Sequence, residues 1–269
     1  MLPPESHLET FSRLPSPGRR RPPLLFVHGG YTDGWCWTPY FLPWFAERGW
    51  PAHALSLRGH GGSGGAGMLF ATGLDDYAAD VERVAGSLGE PPILIGHSMG
   101  AAIVERMLAM HPVRAAVLLA PIPPTGLISV ATRLALERPD ALAHMAHLDP
   151  ARLSVAVLEA LQPFYFSDAV APKILAESAR HLTSESPRAL LDLSLRLHWV
   201  TPERNGAHLT VIGAGGDRIS TPDDARATAR HHGVEATIVP GLAHMLMLEP
   251  GWDLVAEAIA RWLRSLDRR

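Results

Sequence analysis

Ile93-Leu94-Ile95-Gly96-His97-Ser98-Met99-Gly100-Ala101-Ala102 decides how the rest of the chain is read. An apolar run of strand length stops at a small-x-Ser-x-small pentapeptide. An apolar, helix-forming stretch follows to Met110, where His111-Pro112 ends it. A serine between two glycines at a strand-to-helix turn has the form of a nucleophile elbow. A serine hydroxyl is a weak nucleophile at neutral pH and needs a base within hydrogen-bond reach and donors for the oxyanion it creates. The sharp turn lifts Ser98 clear of the sheet and leaves the Met99 amide free at a helix N-terminus, and Gly96 and Gly100 avoid the clash that a Cβ would cause.

Working outward, continuous or alternating apolar runs predict strands at Leu24 to Val27, Ala52 to Leu57, Ala115 to Ala120, Leu209 to Ala214 and Ala236 to Val239. Helices are predicted from about Pro39 to Arg48, closed by Gly49, and over Asp75 to Leu88, between Gly73 and Gly89. Leu8 to Leu14 alternates weakly and reads as an edge strand, but Pro15-Ser16-Pro17-Gly18 ends it and leaves little room for an opening hairpin. After Ala120 the grammar changes. From Thr125 to about Val200 only helical periodicity is present, broken by Pro139, Pro150, Pro163, Pro172 and Pro187. The expected organisation is an α/β core from residues 1–120 and 201–269, with residues 121–200 inserted as a helical cap.

From about Pro23 onward the chain resembles the α/β-hydrolases: a mostly parallel central sheet flanked by helices, with a Ser-Asp-His order of functional residues. In that family the loop corresponding to His28-Gly29-Gly30-Tyr31 supplies the second oxyanion amide, which by position is Gly30 beside Met99. His28 itself reads as a brace of the loop. The resemblance makes Asp217, just past the Leu209 to Ala214 strand, the acid, and His244, after the last strand, the base. Asp223 and Asp224 compete for the acid's role, but they follow Pro222 at a helix start, where carboxylates complement orphan amides. Ser56-Leu57-Arg58-Gly59-His60-Gly61-Gly62-Ser63 is similar to a family turn that usually begins with aspartate, and Ser56 is a departure from it. Gly29, Tyr31, Phe164 and Met245 are expected to contact substrate, and Met145, Leu161, Tyr165 and Phe166 are further candidates for the pocket wall.

The segment from His28 to Trp37 also resembles plant-type methylesterases and hydroxynitrile lyases. The lyases carry a threonine and a lysine where this chain has Gly29 and Met245, and the sole lysine, Lys173, falls in the insertion. The expectation is a serine hydrolase cleaving a small or medium carboxylic ester through an acyl-enzyme, with lysophospholipase-like lipases equally compatible with the elbow. Non-ester chemistry on the same three residues (C–C hydrolysis, a lyase or a perhydrolase) and a ligand-binding receptor on the same fold are the alternatives.

Bulk properties narrow the partners. At 269 residues, 47% hydrophobic and 19% charged, the chain can bury a full core. A net charge of −3 gives no basic footprint for nucleic acid or anionic lipid, so a small-molecule ester is the expected partner. No cofactor or metal is expected. His144 and His147 stand one helical turn apart, without a third ligand spaced to join them. The single cysteine, Cys36, excludes an internal disulfide and reads as a packed apolar residue between Trp35 and Trp37. Residues 1–23 are proline- and arginine-rich with no apolar segment of signal-peptide type, and no apolar run reaches membrane-spanning length. The cytoplasm is the expected location. The sequence carries no signal of oligomeric state.

Overall fold

The computed structural model describes residues 7–17, 21–140, 143, 161–195 and 206–266. The core strands are Thr10–Arg13 (β1), Leu24–Val27 (β2), Ala52–Leu55 (β3), Ile93–His97 (β4), Ala115–Leu119 (β5), His208–Ala214 (β6) and Ala236–Val239 (β7). They form one sheet in the order β1-β3-β2-β4-β5-β6-β7. All pairs are parallel except β1 with β3, which run antiparallel with Thr10 opposite Leu55 and Arg13 opposite Ala52. The edge that the sequence left open is thus one short antiparallel strand. The core helices are Phe41–Glu47 (α1), Leu74–Ser87 (α2) and Met99–Met110 (α3) before the insertion.

Every residue of β2, β4 and β5 is buried, because helices cover both faces of the sheet. Successive side chains along a strand point to opposite faces, so each strand feeds two cores. Leu24 and Phe26 join Trp37, Phe41 and Phe45 on one face, whereas Leu25 and Val27 join Tyr77, Val81 and Ile103 on the other. Phe26 is boxed by Trp37, Phe41 and Phe45 at ring separations of 5.0, 6.0 and 5.6 Å. Cys36 is fully buried in this first core, as its flanking tryptophans imply.

The chain leaves the sheet after β5, and the helical segment between β5 and β6 is called the insertion below. Its described helices are Leu127–Glu137 (α4), a short helical stretch over 161–165, Pro172–Arg180 (α5) and Pro187–Ser194 (α6). The chain returns through β6, Pro222–His231 (α7), β7 and Trp252–Leu266 (α8). Among the described residues, no helix is long and apolar enough to cross a membrane.

The elbow is built by two close approaches. A Cβ on Gly96 would lie 2.2 Å from the Gly100 carbonyl oxygen, and one on Gly100 would lie 2.4 Å from the carbonyl oxygens of Val27 and His28. Side-chain carbons do not approach backbone oxygens this closely, so α3 meets β2 and β4 only because both positions are glycine. Between them Ser98 takes φ 54°, ψ −116°, a conformation rare for a residue with a side chain, and its N–H donates to the Leu119 carbonyl at 3.0 Å. Gly100→Ala is expected to destabilise the fold by about 3 kcal/mol or more, since the clash is with backbone that cannot yield. Urea denaturation compared with Gly86→Ala, a position in α2 where an added Cβ meets nothing within 4 Å, checks this.

Candidate active site

Three loops at one rim of the sheet bring Ser98, Asp217 and His244 together. His244 Nε2 lies 3.1 Å from Ser98 Oγ, and His244 Nδ1 lies 2.8 Å from Asp217 Oδ2. The other oxygen, Asp217 Oδ1, accepts from the amides of Ile219 and Ser220 at 2.8 and 2.9 Å, which fixes the carboxylate in its turn. A carboxylate only accepts, so the proton sits on Nδ1 and the Nε2 lone pair faces the serine hydroxyl. All three side chains are buried, and Ser98 and His244 line a cavity. Asp223 faces solvent beside Arg226. Asp224 closes the first turn of α7 in a reciprocal cap with Thr221 and pairs with Arg133 at 3.0 Å. Neither competitor approaches His244.

The two expected oxyanion amides, of Met99 and Gly30, make no hydrogen bond within the described residues. Met99 opens α3, where the helix dipole favours negative charge. Gly30 is aimed by His28. In a trans peptide the C=O and N–H point in opposite directions, and His28 Nδ1–H donates to the Gly29 carbonyl at 2.7 Å, so the Gly30 N–H turns the other way. His28 Nε2 accepts from the Leu57 amide at 3.0 Å. One ring nitrogen faces an acceptor and the other a donor, so the ring is neutral. Burial together with the nearby His60 pushes its pKa down to about 3. His97, inside the elbow, is also fully buried, and burial with the neighbouring His244 holds its pKa well below the ordinary value. Its Nε2–H donates to the His244 carbonyl at 2.9 Å and so tethers the His244 backbone to the strand that ends at Ser98.

Two apolar cavities meet at this rim. One, of about 250 Å³, contains Ser98, His244 and both oxyanion positions, and is walled by Ile122, Leu134 and Leu193 among others. The second, of about 210 Å³, lies under Leu161, Phe166, Leu175 and Leu182. Gly30, Tyr31, Tyr165 and Met245 line both and form the partition between them. Of the expected substrate contacts, Gly29 therefore lines the first cavity, and Tyr31 and Met245 line both. Phe164 is a correction: it lines neither, being buried behind the first cavity with Val130, Leu134 and Ile219. Its neighbour Tyr165 takes the position instead, with its ring edge-on to His244 at 5.9 Å. Met145, His144 and His147 lie outside the described residues. Among the described residues, no group of three or more His, Cys, Asp or Glu side chains is arranged to hold a metal ion.

Some supports had no local signal in the sequence. The aspartate missing at Ser56 is replaced from a distance: Ser56 Oγ–H donates to Glu9 Oε2 at 2.6 Å, and the same oxygen accepts from the Gly62 amide. The insertion also holds the loop that carries His244. The Met245 amide donates to the Tyr165 carbonyl at 2.9 Å, and the Ser167 amide and hydroxyl donate to the Glu249 carboxylate.

A profile of the Alpha/beta hydrolase family matches residues 24–258. The chain belongs to the alpha/beta hydrolase family. Among relatives, it is 29% identical over 89 residues, 33% of its length, to a pyrethroid hydrolase of Sphingobium wenxiniae, and the match spans 31% of that protein. Among solved structures, the enol-lactonase of Burkholderia xenovorans LB400 superposes with a TM-score of 0.71 at 16% identity, covering 96% of this chain and 97% of that one. A thermophilic esterase from Thermogutta terrifontis gives 0.70 at 20% identity, covering 98% and 96%. At these identities the likeness is one of fold, and the parallel sheet with its elbow is the part of the alpha/beta hydrolase pattern that this chain shares.

The neutral histidines beneath the site set an acid limit on stability. His28 binds a proton in the unfolded chain near its ordinary value of 6.5 and in the folded protein only near 3. Between those values the unfolded state holds more protons, so stability falls as the pH drops from 6.5 towards 3. The expected slope from His28 alone is about 1.4 kcal/mol per pH unit. Unfolding free energies measured across that range should be steeper for the wild type than for His28→Gln.

Proposed function

We propose that this protein is a serine hydrolase that cleaves a carboxylic ester of an apolar acid or alcohol through an acyl-enzyme. The observation that carries the reading is the continuous run from Asp217 through His244 to Ser98 Oγ, facing two unpaired amides in an apolar cavity. Ser98 Oγ attacks the ester carbonyl while His244 Nε2 takes its proton. The carbonyl π electrons move onto oxygen, and that oxyanion is held by the amides of Gly30 and Met99. The tetrahedral centre collapses, the C–O bond to the alcohol breaks, and His244 returns the proton to the leaving oxygen. Water then repeats the sequence on the acyl-enzyme and releases the acid with Ser98 restored. Asp217 keeps His244 in the reactive tautomer and balances the imidazolium formed in each half.

The two cavities support a substrate with an apolar group on each side of the carbonyl. Gly29 and Met245 stand where a cyanohydrin lyase would keep its threonine and lysine, which further favours hydrolysis. The names of the relatives, a pyrethroid hydrolase and an esterase, agree with this chemistry.

A series of p-nitrophenyl esters from acetate to decanoate tests the reading. kcat/KM is expected to rise by roughly fourfold per methylene, the effect of about 0.8 kcal/mol per buried CH2, until the cavity is filled. Ser98→Ala should abolish turnover across the series. Release of nitrophenol undiminished in Ser98→Ala, or tight ligand binding by the wild type with no release, overturns the proposal. In the same assay Asp217→Asn should lower kcat by about 10⁴-fold while Asp223→Asn leaves it at wild-type level. The reverse order would show the acid to be misassigned.

A further inference from the structure

The segment between α5 and α6 lies along the end of the oxyanion loop and is bonded to Tyr31, Thr32 and Asp33 in turn. His181 stacks on Trp35 at 4.4 Å with the rings 3° from parallel, and its Nδ1 meets Asp33 Oδ2 at 2.9 Å. The Thr183 amide donates to the Tyr31 carbonyl at 3.0 Å, and its hydroxyl donates to the Thr32 carbonyl. Tyr31 sits at φ +63°, a left-handed conformation that a side chain disfavours, so its backbone stays there only if its surroundings dictate it. Its other backbone polar group, the amide, donates to Glu185 Oε2 at 3.3 Å.

Glu185 is almost wholly buried and saturated with donors. Its carboxylate accepts from Tyr77 Oη at 2.8 Å, from the Ser186 amide at 2.7 Å and from His60 Nε2 at 3.1 Å. His60 Nδ1 in turn faces the Arg58 carbonyl at 3.1 Å. Both nitrogens of that ring face acceptors only, so it carries both protons, in contrast to the neutral His28 whose ring lies 5.1 Å away. Burial pushes the Glu185 carboxyl up, but the His60 charge and the donors around it reverse this and hold it below the ordinary carboxylate value. The site thus contains a buried ion pair beside the loop that must receive an oxyanion. A bare carboxylate there would oppose that developing charge, and the imidazolium cancels it.

We infer that Glu185 is a positioning residue for the oxyanion loop: seated from the insertion and neutralised by His60, its carboxylate grips the Tyr31 amide so that the preceding Gly30 N–H stays aimed at the reacting carbonyl. His28 fixes one of the peptides flanking Gly30 and Glu185 fixes the other. At 3.3 Å the contact to Tyr31 is longer than an ordinary N–H···O bond, so its hold comes from the full charge, which an isosteric amide lacks. This role rests on the serine-hydrolase reading above, and the test separates the two.

The experiment compares Glu185→Gln with wild type on one p-nitrophenyl ester, for kcat and KM, and measures affinity for an alkyl trifluoromethyl ketone. The ketone adds to Ser98 Oγ, passes the serine proton to His244 and leaves its oxygen in the oxyanion site, so its affinity reads that site directly. In Glu185→Gln, kcat should fall by about 10- to 100-fold, less than the loss expected for removing an oxyanion donor outright. Ketone affinity should fall in parallel, and KM should stay within about threefold. A lowered Tm with kcat and ketone affinity unchanged, or a rise in KM alone, overturns the inference. If Glu185→Gln does not fold, Tyr77→Phe removes one donor to the carboxylate and keeps the buried ring. It should then show the same paired loss in smaller measure, and unchanged kinetics overturn the inference equally. Ser98→Ala run alongside isolates the hydrolase reading, which fails if that variant still turns over or if the wild type binds ligand without release, whatever Glu185→Gln does.

Discussion

The backbone of α3 rests directly on the carbonyl oxygens at the end of β2, with no side chain between them. That approach fixes where the helix starts, and the start of the helix fixes where the Ser98 side chain and the Met99 amide point. The strained backbone of Ser98 costs on the order of 1–3 kcal/mol. It is offset by what the turn allows: Ala101, Ala102, Ile103, Val104, Met107 and Leu108 are all buried along the helix that follows. The geometry of the turn is therefore maintained by the packing of the core.

Around that point the protein divides its labour between the sheet and the insertion. The sheet supplies positions: Ser98 after β4, Asp217 after β6 and His244 after β7 all emerge at the same rim because these strands run parallel. The insertion supplies surroundings. It walls both cavities, presses Tyr165 against the imidazole and carries Glu185 to the back of the oxyanion loop. Charge is handled by hydrogen-bond partners rather than by exposure. His28 is kept neutral by one donor and one acceptor, whereas His60, a ring's breadth away, is kept charged by two acceptors.

What the sequence made legible followed from how local each signal was. The elbow, the strand ends and the helix over Met99–Met110 were readable because glycines, prolines and apolar runs act on their immediate neighbours. Asp217 and His244 could be singled out because each follows a strand, and the parallel order of the sheet brings those strand ends to one rim. Phe164 was misread because an aromatic pair in a short helix does not reveal which member faces the cavity. That depends on the rotation of the turn, which the tie between Tyr165 and Met245 sets from far away in sequence. Glu9 and Glu185 were illegible for the same reason. Each is an isolated carboxylate whose partners lie 47 and 154 residues away, and nothing around either one marks it.

The bond from the Met245 amide to the Tyr165 carbonyl, together with the grip of Ser167 on Glu249, joins the wall of the cavities to the loop that carries His244. Wall and loop form a mechanical interlock. A swing of the wall wide enough to admit a bulky molecule through this side has to unhook the residue next to His244 first. The two therefore move as one piece for as long as these bonds hold, and the cavity wall takes its place from the loop after β7 as much as from its own helices.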